Sequence, residues 1–407
     1  MSKDRSNRHD LRPVRYRPAR EPNKGHGDRR NRMLLGFVGD IGLIGGVQRR
    51  IIEYGVEWPF AEVQHVLDTC HILFGNLEMP FCPPGVEKAF AEGCESFRVP
   101  PECGPALKRA GFNILSVANN HIMDFGSPGL ECTLEVLREH GISAVGAGTN
   151  LAQARQPVVL QHGDLNVGFL AYAMEGPHEA GSADAGAAPL KTEFVSEDVG
   201  RLREQADIVV VSIHFGMIYS GHPLEKDMQL ACSAIDSGAD IVVGHHAHVL
   251  QGVETYKNGI IAYGLGEFIF DPTVGNVYAN IAREERRQSV ILRISAGHGA
   301  VGIYDTVPLR SNKNLQPVLV RGSQGDTILT RLRQLSGDLP LIHEGKKQFL
   351  RSMGVSFVPY YAQVYWLHLK RMHLRFLLSR ILRLRARHLW LFTGFMLAKI
   401  RAFRRTR

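Results

Sequence analysis

Short apolar runs alternate along this chain with segments whose apolar residues recur at three- and four-residue steps. The runs are "MLLGFVGDIGL" (33–43), "HILFGNLE" (71–78), "FNILSVANNH" (112–121), "NVGFLAYA" (166–173), "DIVVVSIHFG" (207–216), "DIVVGHHAH" (240–248) and "GIIAYGLGEFIF" (259–270). A run that is apolar at successive positions is buried on both faces, as the central strands of a covered sheet are. Between them, "PFAEVQHVLDTC" (59–70), "PPECGPALKRAG" (100–111), "PGLECTLEVLREHG" (128–141) and "DMQLACSAIDSG" (227–238) carry helical periodicity, and three of them stop at or beside Gly. Strands alternating with helices predict an α/β domain around a largely buried sheet. "SVILRISAGHGAVGIYDTVPLR" (289–310) reads as a closing hairpin, and the Gly/Ala-rich "EGPHEAGSADAGAAPLK" (175–191) as a flexible loop. From about 325 to 358 the pattern weakens, with a helical cast.

The net charge of +8 hides three regions. Residues 1–32 hold eleven Lys/Arg against four Asp/Glu, and residues 345–407 hold fifteen with no acid. The body between them therefore carries −14. The Pro- and Arg-rich first 32 residues are expected to be disordered. They lack the apolar stretch of a signal peptide, and the six cysteines form no CxxC pair. The expectation is a reduced, cytosolic setting with free thiols. No run is long enough to span a bilayer.

Polar residues gather after the C-terminal ends of the apolar runs: Asp40, Asn76 and Glu78, Asn119 to His121, His214, and His245 to His248. Sites in open α/β sheets form at that edge. Each residue also has an ordinary reading. Asp40 suits a turn or a helix cap, Asn119–Asn120 an Asx-turn, Glu78 a solvated carboxylate, and His214 a structural hydrogen bond. Taken together they supply what a hydrolytic metal centre needs: carboxylates from Asp40 and Glu78, an amide oxygen from Asn120, and imidazoles from His214, His246 and His248. His121, next to Asn120, can instead donate a proton to a leaving oxygen. Mixed nitrogen and oxygen donors suit divalent Mn, Fe or Zn, with two ions expected.

The ordered motifs "GDIGL", "GNLEMPF", "VANNHIMDFG", "SIHFG", "GADIVVGHHAHVLQGVE" and "YGLGEFIFD", with "GAGTNLAQARQPVV" between the third and fourth, resemble the CapA-type capsule-synthesis, or poly-γ-glutamate biosynthesis, family. That family is similar to the calcineurin-like metallophosphoesterases. The resemblance implies a four-layer αββα sandwich over residues 33–310; beyond it the residue pattern sets off a C-terminal extension (311–358) and a basic amphipathic helical tail (359–407). It also implies roles: Asp40 as first metal carboxylate, Asn120 and His121 as ligand and acid, His214 as a further ligand, and His246 and His248 as the closing pair. His245 is then an added neighbour. Gly42 stands where typical metallophosphoesterases carry His, and Asn76 where they carry the bridging Asp, with Glu78 the nearest carboxylate. Glu267 stands where the family usually has Asn, and either ligates or pairs with an Arg.

In residues 360–407 Trp, Leu, Ile and Phe interleave with Arg, as in an amphipathic helix with a cationic face. The expected partner is an anionic membrane surface, which makes the protein peripherally membrane-associated. Packing on the acidic body and binding to RNA are the other readings, nucleic acid being disfavoured. The function expected is a metal-dependent hydrolase or transferase acting at the membrane in capsule or poly-γ-glutamate production, alongside polymer synthase or export subunits. A non-catalytic scaffold of such an assembly, or a soluble nucleotide phosphoesterase, are the alternatives.

Overall fold

The computed structural model describes residues 32–89, 96–274, 283–297 and 300–343. The basic arm and the amphipathic tail therefore lie outside the described residues, apart from Arg32. Sixteen strands follow in chain order: β1 Met33–Ile41, β2 Ile72–Leu77, β3 Ile114–Ser116, β4 Ser143–Val145, β5 Ala147–Gly148, β6 Val158–His162, β7 Leu165–Ala173, β8 Gly186–Ala187, β9 Ile208–His214, β10 Ile241–His245, β11 Val253–Tyr256, β12 Gly259–Ala262, β13 Glu267–Ile269, β14 Gln288–Gly297, β15 Ala300–Ser311 and β16 Pro317–Leu319. Among the described residues they form two large sheets, β16-β15-β14-β1-β2-β3-β4 with β13 also on β1, and β11-β12-β10-β9-β7-β6, and a short pair, β5-β8. The first is parallel from β1 to β4 and antiparallel from β1 through β14 to β16, and the second has a parallel centre and antiparallel edges.

Period-two alternation sorts the second sheet into two faces. Ile208 and Val210, Ile241 and Val243, Val167 and Phe169 share one core with the first sheet, whereas Val209, Val211, Val242, Leu170 and Tyr172 join another under the outer helices. The Phe74 and Phe169 rings stack at 5.8 Å across the sheets. Helices Thr192–Arg203, Glu225–Asp236 and the end of Gly322–His343 cover the second sheet. Helices Gly45–Tyr54, Gly104–Arg109 and Gly126–Glu139 add Val47, Ile51, Leu107, Leu130 and Leu137 to the first core. The architecture is a four-layer αββα sandwich, two sheets where apolar runs alone predicted a buried sheet.

Three local differences from the pattern have physical causes. The helix expected over 59–70 is two single turns, Trp58–Phe60 and Gln64–Leu67, with Pro59 in the first. The 175–191 segment is tied down: Ala180 N donates to Ala187 O, Ala187 N to His178 O, and Ala188 N to Gly146 O. Small residues allow this, since a Cβ on Gly186 would lie 2.5 Å from neighbouring backbone atoms. Residues 311–343 are built into the body, with β16 on the first sheet's edge and the Gly322–His343 helix on the second sheet.

Asp227, in the first turn of the Glu225–Asp236 helix, is 6% exposed and its Oδ2 has no hydrogen-bond partner among the described residues. Burial pushes its carboxyl up to about 6 from 3.8. The folded state thus holds this proton to higher pH than the unfolded chain does, so stability falls as pH rises from about 4 to about 6. Asp227→Asn should remove that loss. Urea unfolding should find the variant more stable by about 1–2 kcal/mol at pH 7 and no more stable at pH 4.

Candidate metal centre

The parallel strands bring their C-terminal edges together between the sheets, and the polar residues expected there meet. In β9 and β10 the inward face ends on His214 and His245. In β2 the period-two step carries Phe74, Asn76 and then Glu78 onto one face. The first strand needs a different device. Phe37 pairs with Phe74 and Asp40 with Asn76, so three residues of β1 oppose two of β2. This bulge returns Asp40 to the inward face, which plain alternation would deny it. Strand β13 closes against it: Asp40 N donates to Gly266 O at 3.0 Å, and a Cβ on Gly39 would lie 1.8 Å from that oxygen.

Two groups of donor atoms result, Glu78 with His214 and His246, and Asp40 with Glu78 and His248. Glu78 belongs to both. Its Oε1 lies 3.5 Å from His214 Nε2 and 3.5 Å from His248 Nε2. Asn120 joins the first group, its Oδ1 2.7 Å from His214 Nε2, and His246 Nδ1 lies 3.1 Å from the same nitrogen. His246 and His248 hold φ of 87° and 57°, a left-handed conformation costly for residues with a Cβ. The "GHHAH" turn thus spends strain on aiming two imidazoles.

The electrostatics differ from residue to residue. Burial raises the Glu78 carboxyl, and the Asp40 charge adds to this against the counter-effect of His248. Burial also opposes ionisation of Asp40, but His245, His248 and the Asn76 amide outweigh it and hold the carboxyl below its ordinary value. Burial and neighbouring imidazoles push His214 well down and His246 down to about 3, so both are neutral, the ligand form, at pH 7. Burial would lower His248 too, yet Glu78, Glu267 and Asp40 together raise it. Both Glu78 oxygens, His248 Nδ1 and both His245 nitrogens are buried without a hydrogen bond among the described residues, the two Nδ1 atoms standing only at ion-pair distance from Glu267 and Asp40. Buried polar atoms are normally paired. A set of two carboxylates, an amide and three imidazoles with orphaned atoms at its centre fits divalent cations.

The ordinary readings fare unevenly. Asp40 is neither turn nor cap; Asp271 Oδ2 takes the Gly46 N–H of the Gly45–Tyr54 helix at 2.6 Å. Glu78 is fully buried. Asn119 does make the Asx contact, accepting from His121 N at 3.1 Å, and its amide donates to Leu77 O at 2.8 Å. That turn presents Asn120 to His214. His121 stands outside both donor groups, stacked on Phe97 at 4.0 Å with Nδ1 3.0 Å from Asp124 Oδ2.

Residues beyond the expected set complete the surroundings. Asn76 donates to Asp40 Oδ1 at 2.9 Å, and His245 Nδ1 approaches the same oxygen at 3.2 Å. His245 thus belongs to neither donor group and braces Asp40 from behind. A Cβ on Gly42 would lie 2.5 Å from the Phe270 ring, which packs 5.1 Å from His248. Phe270 fills the space beside the position where a metallophosphoesterase His would stand. Glu267 takes the pairing alternative: Arg286 Nε and Nη2 reach its Oε1 at 2.9 and 2.8 Å, while His248 Nδ1 lies 3.3 Å from that atom. Arg286 is 3% exposed and also lies 4.9 Å from the Tyr219 ring. Asp124 and Arg286 carried no signal of their own in the sequence, since neither ends an apolar run. Removing one partner of a buried pair strands the other's charge. Arg286→Met should therefore cost about 3–5 kcal/mol in urea unfolding, and Arg286→Met with Glu267→Gln should recover much of it.

The comparisons with known proteins follow this geometry. The bacterial capsule synthesis protein PGA_cap family model matches residues 34–272, most of the described body. The capsule biosynthesis protein CapA of Bacillus anthracis is 29% identical over 286 residues, 68% of this chain and 67% of that protein. The PGA biosynthesis protein CapA of Bacillus subtilis is 28% identical over 320 residues, 77% of this chain and 81% of that protein. A solved structure of a novel phosphatase from Mycoplasma pneumoniae aligns over 69% of this chain and 93% of its own, at 14% identity and a TM-score of 0.45. The chain belongs to the bacterial capsule synthesis protein PGA_cap family.

Proposed function

We propose that this protein is a metal-dependent hydrolase or transferase acting on phosphoester or amide bonds in capsule or poly-γ-glutamate production at the membrane. The observation that carries the reading is the sharing of Glu78 by two donor groups. A buried carboxylate without hydrogen-bond donors, flanked by imidazole nitrogens on both sides, is matched to a pair of cations. Glu78, His214, His246 and Asn120 would hold one ion, and Asp40, Glu78 and His248 the other. Divalent ions in such a centre supply Lewis acidity toward a phosphoryl or carbonyl oxygen and acidify water. Manganese, iron and zinc all suit the donors.

The protein's own groups have distinct parts in this reading. Asn76 and His245 fix the rotamer of Asp40. Arg286 holds Glu267 beside His248 Nδ1, so that Nε2 faces Glu78. Asp124 takes the Nδ1 side of His121, which leaves Nε2 as the atom that hands a proton to the leaving group. Phe97 stacks on that imidazole and shields it from water. No helix among the described residues is long and apolar enough to cross a membrane, so membrane attachment is assigned to the basic tail.

Elemental analysis of the full chain should find about two divalent ions per molecule that depend on this centre. The pair His246→Ala and His248→Ala should remove those two ions while leaving a cooperative unfolding transition. His121→Ala should keep the metal and lose about 10²–10⁴ in turnover of a generic phosphodiester. Metal-free wild-type protein, even after Mn and Zn are supplied, would instead leave a scaffold within a polymer synthesis assembly.

A further inference from the structure

The second sheet's outer face carries another convergence of chemical groups, on the side away from the Glu78 centre. Cys232 is on the Glu225–Asp236 helix, Glu254 on β11, Tyr263 just beyond β12, and His343 at the end of the Gly322–His343 helix. Glu254 pairs with Ile261, whose side chain belongs to the outer core with Cys232 and Tyr263. A sulfur of Cys232, a carboxylate oxygen of Glu254 and an imidazole nitrogen of His343 lie within 4.8 Å of one another. His343 Nε2 is 3.1 and 3.3 Å from the two Glu254 oxygens, and Tyr263 OH donates to Oε1 at 2.6 Å. Cys232 is 8% and Tyr263 0% exposed, whereas the His343 side chain is 22% exposed.

We propose that Cys232, Glu254 and His343 form a separate zinc-type site that clamps the end of the C-terminal helix onto the sandwich. A thiolate, a carboxylate and an imidazole from three separate elements form a donor set that suits zinc and leaves its fourth position for water. The half-open side at His343 gives that position access to solvent. Tyr263 orients the carboxylate from behind, as partners of metal ligands do. Binding converts the Cys232 thiol to a thiolate and releases its proton to solvent, forming one metal–sulfur bond. The clamp would fix the body at the point where the chain passes into residues 344–407, tying the basic C-terminal region to the sheet that carries His214 and His245.

Cobalt is the discriminating probe, because the Glu78 centre contains no sulfur. Metal-free full-length protein titrated with Co²⁺ should develop a near-ultraviolet thiolate charge-transfer band that Zn²⁺ displaces. Cys232→Ser should lose the band while retaining cobalt absorbance in the visible region from the other centre. His343→Ala keeps the thiol and changes a half-exposed side chain, so it decides the matter if Cys232→Ser does not fold; it should weaken the cobalt affinity read from the band at least about tenfold. Absence of the band in wild-type protein, its persistence in Cys232→Ser, or unchanged affinity in His343→Ala would overturn the site and leave the His343–Glu254 pair as an ordinary ion pair.

Discussion

Burial of the Glu78 carboxylate between two apolar sheets is the constraint around which the site is arranged. Taking a carboxylate from water into a protein interior costs several kcal/mol unless its oxygens find donors or a counter-charge. The neighbouring anions are provided for differently. Glu267 has two guanidinium donors, and Asp40 has an amide and two imidazoles. Glu78 has imidazole nitrogens at 3.5 Å and no hydrogen bond among the described residues. Of those two imidazoles His214 is held neutral and cannot supply its counter-charge, which leaves His248, raised by Glu78, Glu267 and Asp40 together, shared among three carboxylates. Cations held between the same groups would meet the carboxylate's demand and the neutral imidazoles' demand together.

Reaching this arrangement requires departures from regular structure at particular points. The bulge in β1, the close approach of Gly39 to Gly266, and the left-handed His246 and His248 all serve to turn a side chain toward Glu78. Each is unfavourable locally, and each is held by strands whose remaining residues pack on both faces. The sandwich's rigidity is thus part of the chemistry.

Much of this was legible in the sequence, and the limits are physical. Strands buried on both faces read as continuous apolar runs, so β1, β2, β3, β7, β9 and β10 stood out, and the residues ending them or following them included every candidate ligand. The division into two sheets was not legible from the runs, because Val209 and Val210 are equally apolar while facing different cores. It came from the family resemblance. The bulge left no mark either: Asp40 looked like any Gly-Asp turn. Arg286 lay beyond reach, since a charge in "EERR" is ordinarily solvated, and only the fold turns this one inward onto Glu267.

The two departures from the metallophosphoesterase pattern have a common physical reading. Asn76 and Glu78 lie two residues apart on one strand face, so exchanging a carboxylate at 76 for one at 78 moves the shared anion along the same row without turning it away. The amide left at 76 becomes a donor to Asp40, an interaction that a second carboxylate there would replace with repulsion. Gly42 fits the same shift: the space beside it is filled by Phe270, which packs against His248 and keeps that side of the site dry. Family membership places the protein in capsule synthesis, and since a fold alone does not decide chemistry, what the site does rests on these particular residues.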